Sequence, residues 1–345
     1  MKIAITGANG HLGQRLIGEL CQQHEVLALV RSEHAVQAIL ARYPASVSCV
    51  VVDYTDAGSL ADAIGDAEAL VHLVGIIKES ATNTFYQAHE ATSQALVEMF
   101  EVPIPADQDK TGTRTITGHA HLRHIVYLSL LGVDKQSDNS CFSSRAMAED
   151  ILKRAPVNVS IIRVPMVLGE GDFASASLAK RVIKKYCFVL RGASLEQPIY
   201  AGDVIRALVN RLEMSVQLGE KPGVPESETP GESVDLQPAL TTKTTIELAG
   251  PESLTRTQLT KRAAAKLGFN PTVISVPQFL IVMLAWVFEK CSKNPPVTRA
   301  MLGVLDHDDN IDVKPALAQL GISLTSLDQT LACVLANNIL SPSDK

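Results

Sequence analysis

The stretch that decides the fold is KIAITGANGHLGQRLIGEL, residues 2–20. It begins with a short apolar run at 2–6, passes through a glycine-rich turn and continues as a helix-forming segment. The apolar residues of that segment recur at helical spacing, so one face of a helix would be buried. They are Leu12, Leu16, Ile17 and Leu20. The stretch therefore predicts a buried strand, a tight turn and an amphipathic helix in succession.

The turn, TGANGHLG at 6–13, has the glycine spacing G-x-x-G-x-x-G. Gly7 permits the tight turn, Gly10 lets a pyrophosphate approach the backbone, and Gly13 lets the helix pack closely on the strand. The helix N-terminus offers free N–H groups and the positive end of its dipole to phosphates. The other residues expected there are Asn9, His11 and Leu12. The turn thus predicts a dinucleotide site; the alternative is an ordinary strand-to-helix turn.

Strand-forming and helix-forming segments alternate through the first 165 residues. Several apolar runs are continuous, which is typical of parallel strands buried on both faces. We therefore expect a Rossmann-type α/β fold with a doubly wound parallel sheet. The predicted strands are 2–6, 25–30, 46–52, 68–74, 124–129 and 159–164. A later helix has its buried stripe at Phe85, His89, Thr92, Leu96 and Met99.

The domain organisation predicted from these patterns is a dinucleotide-binding Rossmann domain at 1–165 and a smaller mixed α/β lobe at 166–345 that completes the sheet. Two polar segments, 101–120 and 218–243, are expected to be exposed, mobile insertions. The apolar segment 277–290 contains the only tryptophan. It is predicted to form a core helix of the second lobe or, alternatively, a docking surface for a partner or a membrane.

The composition is that of a globular protein, with 46% hydrophobic and 20% charged residues. The net charge of −6 argues against nucleic-acid binding, which usually needs a basic stripe. The six cysteines are scattered without a C-x-x-C pair, which is not typical of a zinc site or a disulfide framework. No apolar run reaches the ~20 residues of a membrane span. With no signal or transit segment visible, we expect a cytoplasmic protein without a transmembrane segment.

Residues at the ends of the second and third strands refine the choice of cofactor. Arg31 follows the second strand, where a site that prefers NAD has a carboxylate. A guanidinium suits the 2′-phosphate of NADP, so NADP is predicted and NAD is the alternative; Arg31 could instead be a solvated charge. Asp53, with Tyr54 beside it, closes the third strand and could accept from the adenine amino group. Asp53 could equally cap the next helix.

Motifs along most of the chain resemble the short-chain dehydrogenase/reductase superfamily, of the extended or atypical type. Within it, the sequence is similar to the NAD(P)-binding accessory subunit of respiratory complex I and its bacterial relatives, and next to NmrA-like proteins. The C-terminal NPPVTRAMLGVLDHDDNID shares the likeness to that subunit. The other motifs are TGANGHLG, VVVDYTD, VHLVG, HEAT, VYLSLLG, SRAMAED, IIRVPMVLGEGD, YAGDV and ELAGPESLT.

The resemblance implies a catalytic Tyr-x-x-x-Lys followed by a glutamate. With Glu149 as the anchor, the tyrosine position is Cys141 and the lysine position is Arg145. A thiol is a poor donor and shorter than a phenol, and a guanidinium does not titrate. We therefore expect Arg145 to hold cofactor, or else to be a surface ion-pair partner of Glu149. Cys141 is expected to line the pocket rather than act as a nucleophile. The superfamily hydroxyl is expected near Ser129.

Further positions are assigned by the same resemblance. The backbone of Val74 and Gly75 would run along the cofactor, and Pro165 would lie beside the nicotinamide. His89 would line the nicotinamide end; alternatively, it is a core histidine. His72 is expected to brace the sheet. The run DHDDNID at 306–312 lacks the glycine and the glutamate of a calcium loop, so we predict no metal and explain the run by helix capping and turn chemistry.

Two functions remain open from the sequence. The first is an NAD(P)(H)-binding protein with a structural, assembly or sensing role, with a protein partner or a membrane-peripheral complex. The second is an NADPH-dependent oxidoreductase acting on a small carbonyl or quinone.

Overall fold

A computed structural model describes most of the chain, and a parallel sheet forms its centre. The described residues are 1–43, 47–80, 82–102, 121–219, 241–277, 279, 302–303 and 307–339. The strands are β1 (Lys2–Thr6), β2 (Glu25–Val30), β3 (Val47–Val51), β4 (Ala69–His72), β5 (His124–Leu130), β6 (Asn158–Val164), β7 (Val167–Leu168), β8 (Tyr186–Leu190), β9 (Leu195–Glu196), β10 (Ile199–Tyr200), β11 (Lys243–Glu247), β12 (Leu254–Thr255) and β13 (Thr272–Val276). All six strands predicted in the first half are present, with ends shifted by two residues at most.

The central sheet has seven strands in the order β11-β6-β5-β4-β1-β2-β3, and all neighbours pair in parallel. The predicted doubly wound α/β fold class is thereby confirmed. The chain reverses its direction of travel across the sheet between β1 and β4. In sheets of this kind, ligands bind outside the carboxyl ends of the strands at that point. The topology therefore directs attention to the ends of β1, β4 and β5.

Helices cover both faces of the sheet. The helices are α1 (His11–Leu20), α2 (Glu33–Arg42), α3 (Ala57–Ile64), α4 (Thr92–Glu98), α5 (Ser140–Leu152), α6 (Phe173–Val182), α7 (Ala201–Gly219), α8 (Arg256–Lys266), α9 (Lys314–Leu320) and α10 (Leu327–Ile339). One hydrophobic cluster includes residues of α1, α2, α7 and α9, and the cluster on the other face includes residues of α3, α4 and α5. A π-helical turn, Tyr86–Ala91, leads into α4.

The helical stripes predicted from the sequence are buried as expected. In α1, Leu16, Ile17 and Leu20 lie in the core, while Leu12 is half-buried. The stripe that runs from Phe85 to Met99 is buried at all five of its positions. Burial follows the 3.6-residue period because each of these helices presents one side to the sheet.

The second half of the chain contributes one strand to the central sheet and builds a separate cluster. β11 pairs with β6 at the edge of the sheet. Residues of α6, α8 and α10 form a third hydrophobic cluster. The boundary at residue 165 stays a prediction. Most of the two predicted insertions and of the apolar 277–290 segment lie outside the described residues. Within the described part of the chain, no helix is long and apolar enough to cross a membrane.

Candidate functional site

The glycine loop joins β1 to α1 at the reversal point of the sheet. Gly7 has φ of +70°, which lies in the left-handed region that favours glycine. A Cβ atom at Gly13 would lie 2.5 Å from the Gly7 carbonyl oxygen and 2.6 Å from that of Ala8. Only glycine fits at position 13, because both oxygen atoms that a Cβ atom would strike belong to the backbone and cannot turn aside. Gly10 is the N-cap residue of α1 and has no side chain. No capping side chain therefore occupies the N–H groups at the start of this helix.

Tyr54 braces the loop from the neighbouring strands. Its buried hydroxyl donates to the Leu29 carbonyl oxygen at 2.6 Å and accepts from the Gly7 N–H at 3.0 Å. Burial raises the pKa of Tyr54 to about 12, against a lowering by the Gly7 hydrogen bond and by Arg31. The phenol is therefore neutral and ties the end of β2 to the glycine loop. This bracing role was not evident from the sequence.

Asp53 and Arg31 both lie at the exposed edge of this region. The Asp53 carboxylate accepts from the backbone N–H and the hydroxyl of Thr55, and these bonds lower its pKa. Asp56 rather than Asp53 caps α3, accepting from Ser59 N–H at 2.5 Å. The expectation that Asp53 caps the next helix is wrong, because the chain makes one more turn before α3 begins. Arg31 is the first residue after β2 and is exposed.

The residues around the helix N-terminus line the surface beside the loop. Asn9 and His11 are exposed. A cavity of about 400 Å³ opens beside His11. Its lining residues are His11, Gln14, Arg15, Arg42, Glu170 and Tyr200. Arg15 bridges it to the second half of the chain, since its guanidinium lies 2.7 Å from both the carbonyl oxygen and the carboxylate of Glu170.

Helix α5 positions Cys141 and Arg145 on one face. Asn139 is its N-cap and accepts from Cys141 N–H at 2.9 Å. The Arg145 guanidinium is buried and donates to the Leu128 carbonyl oxygen at 3.0 Å. It lies so close to Gly75 that a Cβ atom there would be 2.0 Å from Arg145 Nη2. The geometry therefore fixes this cation at the ends of β4 and β5.

Arg145 forms no ion pair with Glu149. The Glu149 carboxylate accepts two bonds from Arg163, at 3.0 and 2.7 Å, and Arg163 also reaches Glu247 on β11. The alternative that Arg145 is a surface ion-pair partner of Glu149 is wrong, because Arg163 satisfies that carboxylate across the strands. Within the described residues, the buried Arg145 guanidinium has no carboxylate partner.

Cys141 is fully buried at the first turn of α5. Its thiol donates to the Ile76 carbonyl oxygen at a sulfur-to-oxygen distance of 3.6 Å. Burial raises the pKa of the thiol, although the nearby Arg145 guanidinium opposes the change. A buried thiol that is protonated near neutral pH is a poor nucleophile.

Two buried histidines flank this helix. His89 Nδ1 lies 2.7 Å from Ser144 Oγ, and His89 Nε2 lies 3.1 Å from the backbone of Ile76. His72 ends β4, where its Nδ1 lies 2.7 Å from Thr6 Oγ1. Burial first and the Arg145 charge second lower the pKa of each histidine to about 3. Both rings are neutral at physiological pH. His72 braces β1 against β4, as the sequence led us to expect.

The remaining predicted residues lie around the same strand ends. Ser129 is buried near the end of β5. Val74 and Gly75 follow β4, where Val74 is half-buried. Pro165 is buried in the turn between β6 and β7. The structure thus brings Ser129, Cys141, Arg145 and Gly75 together, whereas Arg31 and Asp53 lie at the other side of the glycine loop.

Three buried polar atoms at these strand ends have no hydrogen-bond partner within the described part of the chain. They are His72 Nε2, Ser129 Oγ and Arg145 Nε. An unpaired buried polar atom costs free energy, so native proteins rarely keep one without a water or a ligand to satisfy it. A cluster of them beside a glycine loop fits a polar ligand that reaches from the loop toward α5.

The sequence did not single out Tyr127 or His307, because their positions near the site depend on contacts between distant segments of the chain. Tyr127, buried inside the apolar run of β5, stacks on His72 with ring centroids 5.2 Å apart and lies 3.4 Å from Arg145. The His307 ring lies against Gly132 and meets the Phe142 ring edge-on at 6.5 Å. The acidic run around His307 pairs with the chain at Leu195, which accepts from Asp309 N–H at 3.1 Å.

The prediction that the protein binds no metal stays a prediction. Within the described residues, no group of three potential ligands is placed to hold a metal ion.

Comparisons with known proteins concern the fold and its first half. Residues 7–178 match a family model described as NAD(P)H-binding. An uncharacterized protein of Saccharomyces cerevisiae, YLL056C, is 30% identical over 190 residues, which are 53% of this chain and 60% of the yeast protein. The match thus spans less than two thirds of that relative.

Solved structures share the fold over nearly the whole chain. Bordetella bronchiseptica WbmH, in complex with NAD+, has a TM-score of 0.64 at 15% identity and covers 98% of both chains. UDP-glucuronic acid 4-epimerase from Bacillus cereus, with UDP-glucuronic acid and NAD, has a TM-score of 0.65 at 15% identity over 98% of this chain and 99% of the enzyme. At such identity the likeness concerns the fold. Together with the family match over residues 7–178, it supports a Rossmann-type fold whose first half resembles NAD(P)H-binding proteins.

Proposed function

We propose that the protein binds NADP(H) and has a structural, assembly or sensing role linked to redox metabolism, without turning over a carbonyl substrate. The observation that carries the proposal is the pair Cys141 and Arg145. The first is a buried thiol and the second a guanidinium fixed against Gly75. This pair can hold a ligand, but it has no phenol and no titratable amine.

The cofactor would be held by residues on both sides of the glycine loop. Backbone N–H groups at His11 and Leu12 would bind the pyrophosphate, with Gly7, Gly10 and Gly13 permitting its approach and Asn9 flanking it. Arg31 would meet the 2′-phosphate, and Asp53 would meet the adenine amino group, next to Tyr54. At the nicotinamide end, the neighbouring groups would be Val74, Gly75, His89, Ser129, Arg145 and Pro165. The bound cofactor supplies hydride chemistry.

The proposed lack of turnover follows from the protonation states of the candidate donors. With a pKa of about 3, His72 and His89 do not exchange a proton near neutral pH. Burial raises the pKa of Cys141, which holds its proton, and the thiol is already committed to the Ile76 carbonyl. Efficient general acids have pKa values near the working pH and lie within hydrogen-bond reach of the substrate. Neither the two histidines nor Cys141 meets both conditions.

The experiment that tests the proposal combines binding and turnover on the same preparation. Calorimetric titration should show saturable binding of NADPH, while oxidation of NADPH with aldehydes, ketones or quinones should be negligible. Arg145→Met should weaken NADPH binding, because it removes the buried cation and preserves much of the side-chain volume. Robust turnover that collapses in Cys141→Ala would contradict the proposal, since it would make the thiol a catalytic group.

A second candidate function is an NADPH-dependent oxidoreductase acting on a small carbonyl or quinone. The buried Ser129 hydroxyl favours it, because this oxygen has no partner in the described part of the chain and could meet a substrate oxygen. Ser129→Ala separates the two candidates. A reductase should lose turnover with little change in NADPH affinity, whereas a binding protein has no turnover to lose.

We infer a closer kinship from the sequence motifs, namely to the accessory subunit of respiratory complex I and then to NmrA-like proteins. A role in a respiratory assembly would place the protein in the cytoplasm, peripheral to a membrane complex. Cells that lack the protein should then show less assembled NADH:quinone oxidoreductase on native gels. Unchanged amounts of that complex would contradict this kinship.

A further inference from the structure

A small two-stranded parallel sheet in the second half of the chain has one face exposed. β8 pairs with β13 and places Phe188 opposite Ile274. Side chains alternate along β8, so Cys187 and Val189 are buried while Tyr186 and Phe188 point outward. Phe188 is 62% exposed, Tyr186 51% and Ile274 38%. Three large apolar side chains therefore share one open face.

Two further exposed apolar residues come just before the strands, at the end where both enter the sheet. Because the strands are parallel and Tyr186 pairs with Thr272, both chains enter the sheet at the same end. Ile183 and Phe269 each come three residues before their strand, and both are exposed. We call the five residues the aromatic face: Ile183, Tyr186, Phe188, Phe269 and Ile274. Contiguous exposed apolar surface of this kind marks an interaction site more often than isolated exposed residues do.

The chain around the aromatic face is basic, although the protein as a whole carries a net charge of −6. Residues 173–193 contain five basic residues and no acidic residue. Lys184 and Lys185 are exposed at the end where both strands enter, and Lys185 Nζ lies 5.6 Å from the centroid of the Tyr186 ring. The five are Lys180, Arg181, Lys184, Lys185 and Arg191. Positive charge thus borders exposed aromatic rings within one short segment.

We propose that the aromatic face docks on a membrane surface that contains anionic phospholipids. Aromatic side chains favour the boundary between headgroups and acyl chains, and lysines beside them are attracted to anionic headgroups. A second copy of the chain fits less well, because a two-fold contact through this face would bring basic segments together. This proposal is independent of the proposed function.

Vesicle co-sedimentation of the full chain tests the proposal. Phosphatidylcholine vesicles with phosphatidylglycerol should bind the protein, and phosphatidylcholine vesicles without it should bind little. Raising the salt concentration should weaken the binding, since the lysines are exposed to screening. Substitution of both Lys184→Gln and Lys185→Gln should lower the partition coefficient about thirtyfold. Phe188→Ser should lower it roughly ten- to a hundredfold.

Matched control variants are available on other elements. Leu40→Ser removes an exposed leucine from α2, and Lys314→Gln removes an exposed lysine from α9; both should bind like the parent protein. All variants change exposed residues, so their thermal unfolding midpoints should match that of the parent protein. Three results would overturn the proposal: no binding of the parent to anionic vesicles, equal losses in the controls, or a parent dimer in solution that Phe188→Ser dissociates. The last would assign the face to a second copy.

Discussion

Replacing Gly75 by alanine would add a methyl group where the Arg145 guanidinium now lies. The added Cβ atom would be 2.0 Å from Nη2 and 2.7 Å from Cζ of Arg145, so the side chain would have to move. It would lose the hydrogen bond to the Leu128 carbonyl oxygen, which measures 3.0 Å. A hydrogen bond from this cation to the bound cofactor would contribute about 1.5–3 kcal/mol. Because Gly75→Ala displaces the cation, the substitution should weaken NADPH binding by roughly ten- to a hundredfold.

A double-mutant cycle separates this effect from a direct clash between the methyl group and the nucleotide. NADPH affinity is measured by calorimetry for the parent, Gly75→Ala, Arg145→Met and the double variant. We expect the two losses to be strongly non-additive, because the methyl group acts through Arg145 and has nothing to displace once the guanidinium is gone. Additive losses would refute the reasoning, and so would parental affinity in Gly75→Ala. Urea unfolding of each variant checks that the fold is retained.

Three further predictions concern charge. Arg31→Ala should weaken NADPH roughly ten- to a hundredfold and leave NADH nearly unchanged in calorimetric titration, whereas equal losses would mean that Arg31 only points into solvent. Burial first and Glu196 second raise the pKa of Asp309 to about 7. Between about pH 4 and pH 7 the Asp309 carboxyl is therefore protonated in the folded state and ionised in the unfolded state. The free energy of unfolding falls as the pH rises through that window. Asp309→Asn should therefore raise stability by up to about 4 kcal/mol at pH 8 and by less at pH 5, and an equal gain at both would exclude this cause. His72 and His89 have pKa values of about 3 in the folded state and about 6.5 in the unfolded state. Below about pH 6.5 the unfolded chain therefore binds more protons than the folded chain, and the free energy of unfolding should fall as the pH drops from about 6.5 toward 3. Urea unfolding at pH 7 and pH 5 measures this loss, which His72→Asn should reduce.

The proposed cofactor site and the aromatic face lie on different sheets. The first depends on the strand ends of the central sheet, and the second on β8 and β13, which form a sheet of their own. Loss of NADPH binding and loss of vesicle binding should therefore arise from different substitutions. A variant such as Phe188→Ser should keep the NADPH affinity of the parent protein.

The sequence by itself determined the helices and strands of the first half and the position of the glycine loop. Continuous apolar runs predicted the six strands of the first half, and the 3.6-residue stripe predicted which side of α1 is buried. The spacing of Gly7, Gly10 and Gly13 located the tight turn between β1 and α1. These features are local, because burial of one element imposes its own period on the residues of that element.

Only the tertiary structure decided which side chains meet. Glu149 pairs with Arg163 and not with Arg145, which is nearer in the sequence. The pairing of β5 with β6 brings Arg163 to the carboxylate. Tyr54 ends beneath Gly7, 47 residues away, and Arg145 lies against Gly75. Such contacts depend on strand order and register, which arise from packing the whole sheet. No local period encodes them, since the residues involved are spread over separate elements of the chain.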